Sequence, residues 1–142
     1  MKLIALFTLL LSSACLAKPE VIAVSDSGFI VENKVHIDAP ADEVWTALIN
    51  DIDKWWPKSH SWWGEEGKFT LQAKAGGCFC ETAGSRSAQH MQVVFVDPQN
   101  VLRMTGGLGP LQGMGVFGSL DWVFEPVPGG TQITLTYRVQ GF

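Results

Sequence analysis

From Phe69 onward the chain is built of short period-two segments separated by turn-forming clusters, with no second helical pattern among them. Parallel strands need crossovers of a dozen or more residues, usually a helix, so these strands are expected to run antiparallel. Phe69 to Lys74 alternates, and Gly76-Gly77 marks a bend. Cys78 to Thr82 is expected to pair with Gln89 to Val96 across a turn at Ala83 to Ser87. Val101 to Thr105 follows the turn Asp97-Pro98-Gln99-Asn100. Ser119 to Pro126 and Gln132 to Val139 read as a hairpin closed by Pro128-Gly129-Gly130.

Ahead of the meander, Val21 to Asp38 reads as one strand, with Phe29, Val31, Val35 and Ile37 on its apolar face. Ala39-Pro40-Ala41-Asp42-Glu43 then opens a helix. Proline suits the first helical position, and two acids in the first turn complement the helix dipole. Val44, Trp45, Leu48 and Ile49 form its apolar stripe. A second short helix or turn around Asp51 to Trp56 stops at Pro57. One early helix pair and no β-α-β rhythm indicate an α+β fold.

Met1-Lys2, the apolar run Leu3 to Leu11, and Ser12-Ser13-Ala14-Cys15-Leu16-Ala17 have the pattern of a secretory signal peptide. The expected organisation is therefore a leader at 1–17 and one domain over 18–142. Cleavage after Ala17 is favoured over lipid attachment at Cys15, because Ser12 stands where a lipoprotein box usually carries a large aliphatic residue. The expected location is the periplasm or the extracellular space. No stretch reaches the roughly 20 apolar residues of a transmembrane helix. The full chain has 10 basic and 14 acidic residues, and losing the leader removes only Lys2 from that balance. A mildly acidic chain without a Lys/Arg cluster excludes nucleic acid as a partner.

Four of the six tryptophans, Trp55, Trp56, Trp62 and Trp63, fall within nine residues among turn formers. Such a loop plugs the core or lines an opening, and at least one or two of its indoles are expected at a ligand cavity. Strand parity puts Phe69 and Leu71; Met91, Val93 and Phe95; Leu120, Trp122 and Phe124; and Ile133, Leu135 and Tyr137 on apolar faces. If Phe79 shares the face of Met91, so does Glu81, a carboxylate on an apolar wall. It is either a polar anchor or acid, or an edge residue paired with Arg103.

The same parity groups Cys78, Cys80 and His90 on the opposite face. Zinc or copper suits such ligands, but no fourth ligand and no standard spacing are present, so no metal and no cofactor are expected. Residues i and i+2 of a regular strand lie about 6–7 Å apart, too far for an unstrained disulfide, so the two cysteines read as small half-buried residues. Gly106 to Gly118 is glycine-rich without the pattern of a phosphate loop. Leu108, Leu111, Met114 and Phe117 within it suggest a mobile apolar flap.

The stretches Ile37-Asp38-Ala39-Pro40-Ala41-Asp42-Glu43-Val44-Trp45, Gly76-Gly77-Cys78-Phe79-Cys80-Glu81, Val96-Asp97-Pro98 and Thr134-Leu135-Thr136-Tyr137, in this order, resemble the SRPBCC superfamily (START and polyketide cyclase/dehydrase-like proteins). The resemblance covers nearly all of 29–142 and rests on order and spacing. It implies a helix-grip fold: a curved antiparallel sheet of about six to seven strands, a short N-terminal helix pair, and a cavity for an apolar ligand. The long C-terminal helix of that fold has no counterpart before Gly141-Phe142, so a truncated reading frame or fragment is expected. If Phe142 is the natural end, an uncovered sheet face predicts self-association.

The function expected is binding of a small hydrophobic or aromatic molecule, through Trp56, Trp62, Trp63, Phe79, Glu81, Met91, Met104, Leu108, Leu111, Met114 and Trp122. The first alternative is a cyclase or dehydratase using Glu81, with His60 and Tyr137 as weaker candidates. The second is an interaction module whose open sheet is completed by a partner chain.

Overall fold

The computed structural model describes residues 19–141, so the expected leader at 1–17 lies outside the described residues. All strands among the described residues join one antiparallel sheet: β1 (Glu20–Ser25), β2 (Gly28–Ile37), β3 (Lys68–Leu71), β4 (Cys78–Ala83), β5 (Arg86–Asp97), β6 (Val101–Gly106), β7 (Phe117–Val127) and β8 (Gly130–Gln140). Their order is β1-β2-β8-β7-β6-β5-β4-β3. The α+β class and the open, curved sheet are as expected. The eighth strand arises because the segment read as one strand folds back at Asp26-Ser27. Asp, Ser and Gly28 are turn formers, but every residue of β1 is exposed, so no apolar alternation marks it as a separate strand.

Two helices, α1 (Ala41–Asn50) and α2 (Ile52–Trp55), lie between β2 and β3. Since β2 pairs with β8 and β3 is the far edge, residues 38–67 must travel across the sheet. That crossing brings the tryptophan loop to Glu81 of β4. Pro40 is the N-cap rather than the first helical residue, and its carbonyl accepts the N–H groups of Glu43 and Val44, each at 3.1 Å. Val44, Leu48 and Ile52 are buried, and Trp45 packs edge-on against Phe124 with ring centroids 5.5 Å apart. Among the described residues no helix comes after β8, and none is long and apolar enough to cross a membrane.

Two bulges in β5 break strand parity. Phe79 pairs with Met91 but Cys80 with Gln89, which makes His90 the extra residue. Further on, Val93 pairs with Met104 and Phe95 with Arg103, leaving Val94 extra. Each inserted residue bends the strand and reverses the in/out sense of the residues beyond it. Consequently His90 and Met91 are both buried, whereas Phe95, expected on the apolar face, is 47% exposed and Val96 turns inward instead.

Candidate functional site

The tryptophan loop is tied down at both ends. Lys58 Nζ donates to Asp53 Oδ1 of α2 and to the Gly67 carbonyl, each at 2.7 Å, and the Phe69 N–H donates to the same Asp53 oxygen at 2.8 Å. The Lys58 ammonium and then the Phe69 amide hold the Asp53 carboxyl below its ordinary range. Helix α2, the loop and the start of β3 are thereby joined through one carboxylate.

The loop delivers Ser61 and the Trp62 amide to Glu81 of β4. Ser61 Oγ donates to Glu81 Oε1 at 2.5 Å, the Trp62 N–H reaches Oε2 at 3.3 Å, and His90 Nε2 lies 2.9 Å from Oε2. Glu81 is fully buried and His90 only 4% exposed. Burial is the largest influence on Glu81 and acts to raise its pKa. The bonds from Ser61, His90 and the Trp62 amide together outweigh it, so the carboxyl sits below its ordinary value of 4.5. Glu81 is therefore an ionised acceptor rather than an acid. It does not pair with Arg103, which instead donates to Asp121 at 2.6 Å. A Cβ on Gly67 would collide with both Glu81 Oε1 and Ser61 Oγ. The backbone of Gly67 is ordinary (φ −65°), so glycine is required there for space and not for conformation.

An ionised carboxylate only accepts hydrogen bonds, so His90 Nε2 carries the proton shared with Glu81. The imidazole is stacked on Phe69 (centroids 5.8 Å) and tilted against Phe79 (5.4 Å), which fixes its plane. His90 lines a pocket of about 460 Å³ together with Trp56, Ser59, His60, Ser61, Trp62 and the turn Leu108-Gly109-Pro110. Ser61 gives its proton to the carboxylate and accepts the Trp63 N–H at 3.0 Å. It has no bond to the imidazole, so the trio is not a nucleophilic serine site.

Beside this pocket, and sharing Trp56, His60 and Leu108 with it, runs an apolar trough of about 820 Å³. Its floor is the inward face of β2, β7 and β8, including Val31, Val35, Leu120, Phe124, Ile133 and Leu135; α1 and Trp55-Trp56 form a wall. Three of its lining residues carry buried polar atoms with no partner among the described residues: Asn33 Oδ1, Trp56 Nε1 and Trp122 Nε1. Tyr137 also lines the trough. Its hydroxyl donates to the Gly106 carbonyl at 2.9 Å and accepts the Leu108 N–H at 3.0 Å. Burial pushes the phenol above its usual pKa.

The residues singled out from sequence separate into distinct places. Trp56, Leu108 and Trp122 line the trough, and Trp62 lines the smaller pocket at 49% exposure. Phe79, Met91 and Met104 are core residues, each no more than 2% exposed, and line neither the trough nor the His90 pocket. Trp63 lies beneath the Arg86 guanidinium, 5.4 Å from its ring centroid, rather than at a cavity. Leu111 packs on the core from the flap, and Met114 is 57% exposed. The flap itself holds a short 3-10 helix, Gly109–Gln112, anchored by Tyr137 and by Gln112 Nε2 donating to the Gln89 carbonyl at 2.6 Å.

The expected face shared by Cys78, Cys80 and His90 does not exist. Cys78 and Cys80 are joined by a disulfide with their Cα atoms 5.3 Å apart. The pairing register shifts between Phe79 and Cys80, opposite the bulge at His90, and the two cysteines lie closer than in a regular repeat. The same bulge sends His90 to the Glu81 side. Sequence reasoning misses Ser61 and Gly67. Both owe their roles to chain placement, and the one signal for them is a serine within the tryptophan cluster and a glycine four residues after it.

Comparison with known proteins places this geometry. A sequence model described as polyketide cyclase/dehydrase and lipid transport matches residues 29–142. No curated protein matches the chain. Solved structures share the fold. CalU16 from Micromonospora echinospora is 15% identical over 89% of this chain and 71% of its own, with a TM-score of 0.57. An uncharacterized protein from Rhizobium leguminosarum is 18% identical over 87% and 80%, at 0.56. MLL2253 from Mesorhizobium loti is 21% identical over 80% and 76%, at 0.54. At these identities the likeness concerns the fold alone.

Proposed function

The chain belongs to the polyketide cyclase/dehydrase and lipid transport family, and from that premise we propose that it binds a small, mainly apolar or aromatic molecule in the trough between the sheet and α1. The carrying observation is a trough of about 820 Å³ with a mainly apolar lining, in which Asn33, His60 and Tyr137 are among the few polar residues. Apolar pockets with a few convergent polar groups are the usual form of small-molecule sites. Native mass spectrometry of the protein from its natural host, before and after solvent extraction, tests this. An extractable added mass is expected, and a protein that is empty and also fails to bind neutral aromatic probes contradicts the reading.

We propose export on the leader pattern at 1–17, supported by the Cys78–Cys80 bridge, since disulfides persist in oxidising compartments. Fractionation with N-terminal sequencing tests it: a mature chain beginning at Lys18 is expected, and a cytoplasmic chain retaining Met1 overturns it. A second reading, acid–base turnover as in a cyclase or dehydratase, is favoured by one observation. His90 lines a pocket while an ionised carboxylate holds its Nε2. The working group would then be His90, with Glu81 positioning it.

A further inference from the structure

We propose that the smaller pocket is a head-group site that takes the hydroxyl of an otherwise apolar ligand, phenolic or alcoholic, with His90 Nδ1 as the acceptor. This rests on the trough being a ligand site and names the chemistry at its polar end. His90 is only 4% exposed, an unusual position for an imidazole unless both nitrogens are used. Nε2 is committed to Glu81 at 2.9 Å. Glu81 cannot turn away, because Ser61 and the Trp62 amide hold its oxygens. The imidazole cannot swing either, being packed on Phe69 and Phe79.

In the tautomer that carries its proton on Nε2, the ring presents the Nδ1 lone pair, and the histidine lines the pocket. A lone pair at that position calls for a donor. The buried negative charge of Glu81 behind the ring disfavours a ligand that brings a second negative charge. The head group that fits is thus a neutral hydroxyl rather than a carboxylate or phosphate. Trp56, shared by pocket and trough, forms the wall past which the apolar body of the same ligand continues.

Three probes with one ring system separate the possibilities on the full chain: 2-naphthol, 2-methoxynaphthalene and 2-naphthoate, titrated by calorimetry at pH 8. 2-Naphthol is expected to bind about tenfold more tightly than the ether, which fills similar space but has no donor, and more tightly than the anion. His90→Phe is expected to remove the preference for the naphthol while keeping affinity for the ether. Independently of any ligand, ¹⁵N NMR of the wild-type histidines should show His90 protonated at Nε2 only.

Equal binding of naphthol and ether overturns the head-group assignment and leaves the trough reading intact. Tighter binding of naphthoate overturns it in favour of an anion site. A His90 protonated at Nδ1, alone or together with Nε2, overturns it whether or not the variant folds. Binding of none of the three overturns this proposal together with the trough reading.

Discussion

Glu81 shows how three hydrogen bonds govern a buried carboxyl. A carboxyl more acidic in the fold than in the unfolded chain stabilises the fold above the unfolded pKa, near 4.5 here, and that contribution is lost as pH falls through the lower folded value. Glu81→Gln keeps the shape but weakens the acceptors of Ser61, His90 and the Trp62 amide. The variant is expected to be about 2 kcal/mol less stable at pH 7. Chemical denaturation across pH 7 to 3 should show this gap narrowing below pH 4.5; a gap that widens on acidification contradicts the assigned ionisation. Gly67 is the companion test. Gly67→Ala drives a methyl against the Ser61–Glu81 contact, with an expected loss of about 1–3 kcal/mol. A crystal structure of that variant should show Ser61 displaced from the carboxylate.

At the level of elements, the site exists because an irregular strand faces an irregular loop. The His90 bulge places two successive side chains inward, and the backbone of Gly106 on β6 closes against it. There φ is +148°, and a Cβ would lie 3.0 Å from the His90 carbonyl. Tyr137 of β8 then clamps the chain beyond Gly106, accepting from Leu108 and donating to Gly106. Tyr137→Phe strips partners from two backbone groups at once, with an expected cost of about 1–3 kcal/mol. Its more specific signature is faster hydrogen exchange at the Leu108 amide, with the amides of β7 and β8 far from the flap unchanged. An unaltered Leu108 rate means the phenol does not hold the flap. Of these devices only the flap is visible as a pattern in the sequence, through its glycines and spaced Leu and Met residues. Its anchoring by a tyrosine 29 residues away in the chain is not.

Across the whole molecule, the sheet order decides where apolar residues become a wall and where they become a core. Leu135 pairs with Trp122 across β7 and β8 and lines the trough. Leu135→Trp fills that space, and binding of the neutral probe N-phenyl-1-naphthylamine is expected to fall at least about tenfold while the melting temperature changes little. Undiminished binding relocates the ligand elsewhere. The α+β class, the antiparallel meander, the early helix pair and the apolar faces of β2, β7 and β8 are all legible from periodicity and turn chemistry, because those signals are local. Parity with Phe79 gives the burial of Glu81 as one of two alternatives, and the structure decides for it over an edge position paired with Arg103. The features that the chain alone conceals are non-local. One inserted residue in β5 exchanges the partners of His90, separating it from the cysteines and joining it to Glu81, and no side-chain alternation announces a bulge. The path of residues 38–67 across the sheet then decides which serine and which glycine meet that carboxylate. Local sequence sets the period of each element; tertiary packing alone decides where that period is broken, and the candidate site lies at the break.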